Sequence, residues 1–465
     1  MEKYSVKNIY NSIPAEQRGK TLNVEVPGSK SITNRALLIA TLAEGKSSLD
    51  RVLFSDDSRN FLKCVQDLGI ETAVDEEKKT VIIHGCGGQI PKKEASLYVG
   101  SAGTAARFLT AVLGVSDGTY KMDSSEQMKK RPMGPLLDSL RELGCEIDFE
   151  GEEGHFPFTL KGKGFGKDRI SINIDSSSQF LSALLIASVL SKEDFRVDVL
   201  GSHGMSYIDM TVKMMEQFGA APGDIVRSGG SKTVGADAEN SDDDKTKSEN
   251  DDFQIQYRIS HNMRFSGRSY DIEPDASGAA YFYAMCPLLN IPVAVPGIRE
   301  DSLQGDVEFI HILEKMGCRI DVSDSDILLL PPESGRFSGI EADMHACSDQ
   351  AITLAAIAPF AESPTTITGI GHIRLQESDR LSAIVTELGR MGIKTENGDD
   401  WIRIYPKAPE PAEIETYEDH RMAMGFSLVG LRADGIVIKD PLCCRKTFED
   451  YFEVLDRVIG ELTDL

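Results

Sequence analysis

Ser176-Ser177-Ser178-Gln179 stands in front of Phe180-Leu181-Ser182-Ala183-Leu184-Leu185-Ile186-Ala187, a cluster of hydroxyl and amide groups opening an almost wholly apolar run. Serine side chains accept hydrogen bonds from the free N–H groups of a first helical turn, so the stretch reads as an N-cap and a helix. Residues 181–190 present no polar face, and such a helix is buried on most sides. The arrangement recurs five more times: Ser29-Lys30-Ser31 before 36–42, Ser101-Ala102-Gly103-Thr104 before 108–113, Asp275-Ala276-Ser277-Gly278 before 279–289, Ser348-Asp349-Gln350 before 351–360, and Glu418-Asp419-His420-Arg421 before 422–431. A buried helix keeps a positive end made of unpaired N–H groups and summed peptide dipoles. Six such ends pointing one way predict a place for a multiply anionic ligand.

A second marker repeats beside the first. An amphipathic segment ends in glycine at Gly69, Gly144, Gly219, Gly317 and Gly392, with Gly460 a sixth candidate, and glycine after the last turn is the usual helix stop. The successive spacings are 75, 75, 98, 75 and 68, and the long one is explained by an acidic, core-less insertion at about 228–252. The chain therefore reads as six copies of strand, buried helix, strand, amphipathic helix, strand, strand, an α/β fold of six repeats. Units starting near 22, 97, 170, 270, 340 and 413 group into two domains of three repeats. The expected domains are 29–271, and 272–465 with 1–28 crossing back to join it.

The formal charge of −24 argues against broad binding to nucleic acid or anionic membrane, because phosphate contacts need a basic face. Any anion site must then be a local concentration of Arg and Lys. No apolar run reaches 18 residues and the N-terminus lacks a signal-peptide pattern, so the expectation is a cytoplasmic protein with no membrane span. The cysteines at 64, 86, 145, 286, 318, 347, 443 and 444 form no C-x-x-C and complete no metal set with the histidines; reduced thiols and no metal are expected.

The chemistry-bearing residues fall where the repeats predict. Lys30 sits in the first turn of an apolar helix, where the dipole disfavours a cation and an anionic ligand would compensate. Arg35, Gly103, Thr104, Arg107 and the basic turn Lys129-Lys130-Arg131-Pro132 follow, then Ser177, Ser178 and Gln179 as neutral hydrogen-bonding groups. In the second half come Asp349, the run from His372 to Arg380, then Asp419-His420-Arg421 and Arg445-Lys446. Read as a helix, that run puts Glu377 and Arg380 on one face. Lys30, Arg35, Arg131, Arg380, Arg421 and Lys446 all lie at the start of a buried or an amphipathic helix, and guanidinium groups bind phosphate and carboxylate in bidentate fashion. Asp349 and Glu377 among them could move protons.

These motifs resemble those of 5-enolpyruvylshikimate-3-phosphate synthases, from Pro27-Gly28-Ser29-Lys30-Ser31 through Ala102-Gly103-Thr104, Arg131-Pro132-Met133-Gly134, Ser177-Ser178-Gln179-Phe180 and Glu377-Ser378-Asp379-Arg380 to Asp419-His420-Arg421-Met422. The resemblance covers about 5–460 except the acidic insertion. It implies two globular domains, each of three βαβαββ units in an inside-out α/β barrel, closing on substrate. It implies transfer of the enolpyruvyl group of phosphoenolpyruvate to the 5-hydroxyl of shikimate 3-phosphate, with release of phosphate and no cofactor. By the same resemblance Ser31, Arg35, Ser177, Ser178, Gln179 and Asp349 match ligands of shikimate 3-phosphate. Gly103, Arg131, Arg380, Arg421 and Lys446 match ligands of phosphoenolpyruvate, and Lys30 touches both. Asp349 and Glu377 match the acid/base pair, and a monomer is expected.

Three positions depart from the family pattern. Gln376 stands where many members have Lys, His372 where an Asn contacts substrate, and Gly204 where a Ser is usual. Gln376→Lys is expected to leave or improve affinity for the shikimate substrate, and the retained Gly103 to leave the chain sensitive to the phosphoenolpyruvate mimic glyphosate. Two alternatives exist: the related transferase that acts on a UDP-sugar, disfavoured by Ser31 and by the lack of any Cys between Cys86 and Cys145, and a non-catalytic anion-binding relative.

Overall fold

The computed structural model describes residues 3–220, 222–227, 254–323 and 326–463; the acidic insertion read at about 228–252 lies outside them. Among the described residues the strands form six small sheets, five of four strands and one of three. The second repeat shows the pattern. Glu94–Tyr98 and Gly118–Asp123 run parallel, Leu97 opposite Met122, with the helix Gly103–Gly114 as the crossover between them. Phe158–Gly162 pairs antiparallel on the other side, and Glu146–Phe149 closes the sheet. The third and fifth repeats follow the same order.

Chain contacts divide the molecule into two compact units. One comprises Asn34–Asp50 and Ser58–Tyr270; the other comprises Met1–Thr33, Arg51–Asp57 and Asp271–Leu465. In the first-half unit the helices Gly103–Gly114 and Gln179–Ala187 pack together, and nearly every side chain on both is buried. In the second-half unit the helices Ala276–Leu289, Ala351–Ile357 and His420–Gly430 pack on one another at the centre of a single core. Small residues permit that approach: a Cβ on Gly425 would lie 2.7 Å from Ile352 Cγ2. The amphipathic helices end as their glycines predict, Gly69, Gly144, Gly219, Gly317 and Gly392 all taking positive φ. Gly460 does not follow; it lies inside the last helix, Tyr451–Thr463.

Two repeats take their first strand from elsewhere in the chain. Leu22–Asn23 precedes the first buried helix in sequence but pairs parallel with Val293–Ala294 in the fourth sheet. Ser269–Asp271 precedes the fourth helix but lies in the sheet of Glu44–Asp50. Lys3–Ser5 completes the sixth sheet, antiparallel to Ile436–Lys439. These strands are 2 or 3 residues long, and their partners are set by non-local backbone pairing that no local pattern encodes.

Candidate active site

In the second-half unit the chemistry gathers around one guanidinium group. Arg380 begins the helix Arg380–Arg390 and is 1% exposed. Its Nε donates to Asp419 Oδ2 at 2.8 Å, Nη1 to Asp349 Oδ1 at 2.9 Å, and Nη2 to Glu377 Oε2 at 2.9 Å. Nη1 also donates to Gln376 Oε1. The two carboxylates each reach a second cation: Arg421 Nη2 donates to Asp349 Oδ2 at 2.7 Å, and Lys446 Nζ lies 3.3 Å from Glu377 Oε1. Burial pushes the Asp349 carboxyl up, but Arg421 and then Arg380 outweigh it and hold the group at about 2. Burial lowers the Arg380 pKa, and Asp419, Glu377 and Asp349 more than reverse that, so the guanidinium stays charged.

Lys30 opens the helix Lys30–Leu42, which has no acidic residue in its first turn. Asp57 lies 3.9 Å from its Nζ and supplies part of the compensation that the sequence demanded. Burial lowers the Lys30 pKa, against the pull of Asp57 and Glu377. A small pocket is lined by Lys30, Ser31, Ser277, His420, Arg421 and Thr447, among others. His420 is 1% exposed and neither ring nitrogen has a hydrogen-bond partner among the described residues. Burial, then the charges of Lys30 and Arg421, keep its imidazole neutral.

The first-half unit holds the remaining candidates. Arg35 is 2% exposed. It donates to Thr211 Oγ1 at 2.7 Å and to the Tyr207 carbonyl at 3.1 Å, and its guanidinium stacks over Phe108. Burial lowers its pKa to about 10. Arg107 Nη1 donates to Gln179 Oε1 at 2.6 Å and fixes that amide at its helix start. Ser177 and Ser178 are buried, and Ser177 Oγ accepts from the Gln179 N–H at 3.3 Å. Arg131 is also buried, and its guanidinium lies against Gly103 so closely that a Cβ there would be 2.6 Å from Nη1. Gly204 has a φ of +65°, and a Cβ on it would lie 2.5 Å from Ser178 Oγ, so its lack of a side chain serves both the backbone and Ser178.

Two sequence readings are corrected. The helix starts are not uniformly capped by side chains. Ser29, Ser177, Asp275 and Asp419 accept from first-turn N–H groups, whereas the helices beginning at Gly103 and Ala351 have no side-chain cap. The run 372–380 is not one helix: a 3₁₀ turn covers Gly371–Leu375, Gln376 takes φ −92° and ψ −140°, and the helix starts only at Arg380, capped by Asp379. That break turns Gln376, Glu377 and Arg380 toward one another. His372 donates or accepts at Ser348 Oγ, 2.7 Å away, beside Asp349. Asp419 pairs with Arg380 and Asp57 with Lys30 across separations that no local pattern encodes. Of the vicinal cysteines, Cys444 is buried, and burial raises its pKa away from a reactive thiolate.

The architecture recurs in solved enolpyruvyl transferases. The chain aligns with an EPSP synthase from Acinetobacter baumannii at a TM-score of 0.75 and 23% identity, covering 98% of each chain. It aligns with the enolpyruvyl transferase NikO from Streptomyces tendae at 0.67 and 16% identity, covering 95% of this chain and 96% of that one. At these identities the likeness shows the fold, that of the two-domain enolpyruvyl transferases. Sequence carries the particular family. The family model for EPSP synthase (3-phosphoshikimate 1-carboxyvinyltransferase) matches residues 16–236 and 245–455. The 3-phosphoshikimate 1-carboxyvinyltransferase of Trichormus variabilis is 41% identical over 451 residues, 97% of this chain and 99% of the relative. That of Yersinia pestis bv. Antiqua is 38% identical over 438 residues, 94% and 95% of the two chains. The chain belongs to the EPSP synthase family.

Proposed function

We propose that this chain transfers the enolpyruvyl group of phosphoenolpyruvate to the 5-hydroxyl of shikimate 3-phosphate by addition and elimination, with Asp349 and Glu377 moving the protons. The observation that carries this reading is that both carboxylates share one buried guanidinium, Arg380, and each touches a further cation. Lys30, Arg380, Arg421 and Lys446, with Gly103 and Arg131, would bind phosphoenolpyruvate. Ser31, Arg35, Ser177, Ser178, Gln179, Asp349, His372 and Gln376 would bind shikimate 3-phosphate. At a pKa of about 2 Asp349 is a poor base. Anionic substrate competing for Arg421 and Arg380 would withdraw donors from Asp349 and raise its proton affinity toward that task. The arginines and lysines would meanwhile hold the charge of the tetrahedral intermediate.

Each unit supplies what its own chemistry suits: fixed neutral donors around Ser177 and Gln179, and titratable groups around Arg380. The two units are proposed as the catalytic domains, working as a cytoplasmic monomer with no nucleic-acid partner; no helix of the described residues is long and apolar enough to cross a membrane. The test is phosphate release with shikimate 3-phosphate, phosphoenolpyruvate, both, and a UDP-sugar in place of the first. Release that needs both shikimate-pathway substrates supports the reading, and release with the UDP-sugar overturns it.

A further inference from the structure

The fourth buried helix start, Asp275-Ala276-Ser277, matches no substrate ligand of the family, yet a separate segment converges on it. The Ala276 N–H donates to Gln304 Oε1 at 2.9 Å, and Gln304 Nε2 donates to the Pro274 carbonyl at 2.8 Å. Two residues on, Asp306 is 4% exposed. Its carboxylate takes hydrogen bonds from Gln350 Nε2 at 3.0 Å and from the Ser277 hydroxyl. Ser277 Oγ in turn accepts from Arg421 Nη2 at 3.3 Å, the nitrogen that also donates to Asp349. Gln350 directly follows Asp349, is fully buried, and accepts from Thr353 Oγ1 at 3.0 Å, which leaves its amide nitrogen pointing at Asp306.

One buried carboxylate thus touches the hydroxyl beside Arg421 and the residue next to Asp349. A carboxylate in such a place is costly unless its bonds are made, and packing alone would favour an apolar side chain. Burial, then the charge of Asp349, push the Asp306 carboxyl up, while Arg421 and the two hydrogen bonds oppose them. Electrostatic coupling to Asp349 and Arg421 therefore accompanies the bonded path.

We propose that Asp306 is a positioning residue for the transfer reaction: through Ser277 and Gln350 it fixes where Arg421 and Asp349 sit, and so governs the binding of phosphoenolpyruvate in particular. This rests on the reading that Arg421 binds phosphoenolpyruvate. The role differs from a structural one because it acts on one substrate more than on the other. Losing a buried hydrogen-bond partner changes an equilibrium by about 5- to 100-fold, so Asp306→Ala is expected to raise the KM for phosphoenolpyruvate by about tenfold or more. The KM for shikimate 3-phosphate should rise less, since Asp349 is one ligand among several for that substrate. Asp306→Asn keeps one acceptor oxygen for Gln350 and offers the Ser277 hydroxyl an N–H that it can accept, and should recover most of the loss.

The experiment measures both KM values in the full chain for Asp306→Ala, Asp306→Asn, Ser277→Ala and Arg421→Lys, with a thermal melt of each. Ser277→Ala should also raise the KM for phosphoenolpyruvate, and adding it to Asp306→Ala should cost less than the sum of the two. Should Asp306→Ala fail to fold, Ser277→Ala and Asp306→Asn decide. Equal rises for both substrates, or none in folded variants while Arg421→Lys still raises the KM for phosphoenolpyruvate, would overturn the positioning role alone. No effect of Arg421→Lys would overturn the substrate assignment and this proposal with it.

Discussion

At the helix starts of the first-half unit, Arg35 and Arg107 bond to a hydroxyl, a carbonyl and an amide. In the second-half unit Arg421, in the first turn of a buried helix, and Arg380, at the start of an amphipathic one, bond to carboxylates. The repeat is the same: a buried helix crossing between parallel strands, with its first turn exposing polar groups. The scaffold fixes where functional groups stand, and the partners of each guanidinium fix whether its surroundings are neutral or anionic. Neutral partners hold a guanidinium without titrating. Carboxylates hold it in a balance that a competing anion can shift.

The comparison breaks most visibly at Arg380. Arg380→Leu leaves Asp419, Asp349 and Glu377 without their shared cation and should cost about 3–5 kcal/mol in denaturant-induced unfolding. Arg35→Leu, which strands the Thr211 hydroxyl and the Tyr207 carbonyl, should cost about 1–3 kcal/mol. Equal losses would remove the distinction between the units. Asp275 sharpens it next. Burial pushes its carboxyl up to about 6 from a usual 3.8. Between those values the folded chain holds a proton that the unfolded chain releases, so stability falls as pH rises through that window. Asp275→Asn should abolish a pH-dependent loss of at most about 3 kcal/mol, read from unfolding midpoints between pH 4 and 7.

A smaller effect is expected in the first-half unit. Gly103→Ala would put a Cβ 2.6 Å from Arg131 Nη1 and make that guanidinium shift. It should raise the KM for phosphoenolpyruvate and weaken inhibition by glyphosate, both measurable in one steady-state assay; unchanged values would show that Arg131 moves freely. The smallest concerns Gln376. Its carbonyl oxygen accepts from Arg380, so Gln376→Lys replaces an acceptor by a second cation. The gain in shikimate 3-phosphate affinity expected from sequence should therefore be reduced or lost, within about threefold, in a titration of that substrate.

Much of this was legible in the chain. The apolar runs behind Ser178 and Asp275 could belong only to buried helices, and the glycines at 69, 144, 219, 317 and 392 stop helices because they adopt positive φ. The exchange of Leu22–Asn23 and Ser269–Asp271 between repeats was hidden, since strands this short carry no pattern of their own. Helical spacing puts Glu377 and Arg380 on one face, whereas a bend at Gln376 and a helix that starts only at Arg380 bring them together. The contacts of Asp57, Asp306 and Asp419 join segments far apart in sequence, which no local pattern marks.

The central claim is that Asp349, set among Arg380 and Arg421, moves a proton in the transfer. It is tested most directly by phosphate release from phosphoenolpyruvate and shikimate 3-phosphate in the wild-type chain and in Asp349→Asn, with the substrate affinities measured beside it. The account predicts release only with both substrates, and a fall in kcat of about 100-fold or more in the variant. A folded Asp349→Asn chain turning over at the wild-type rate would contradict it.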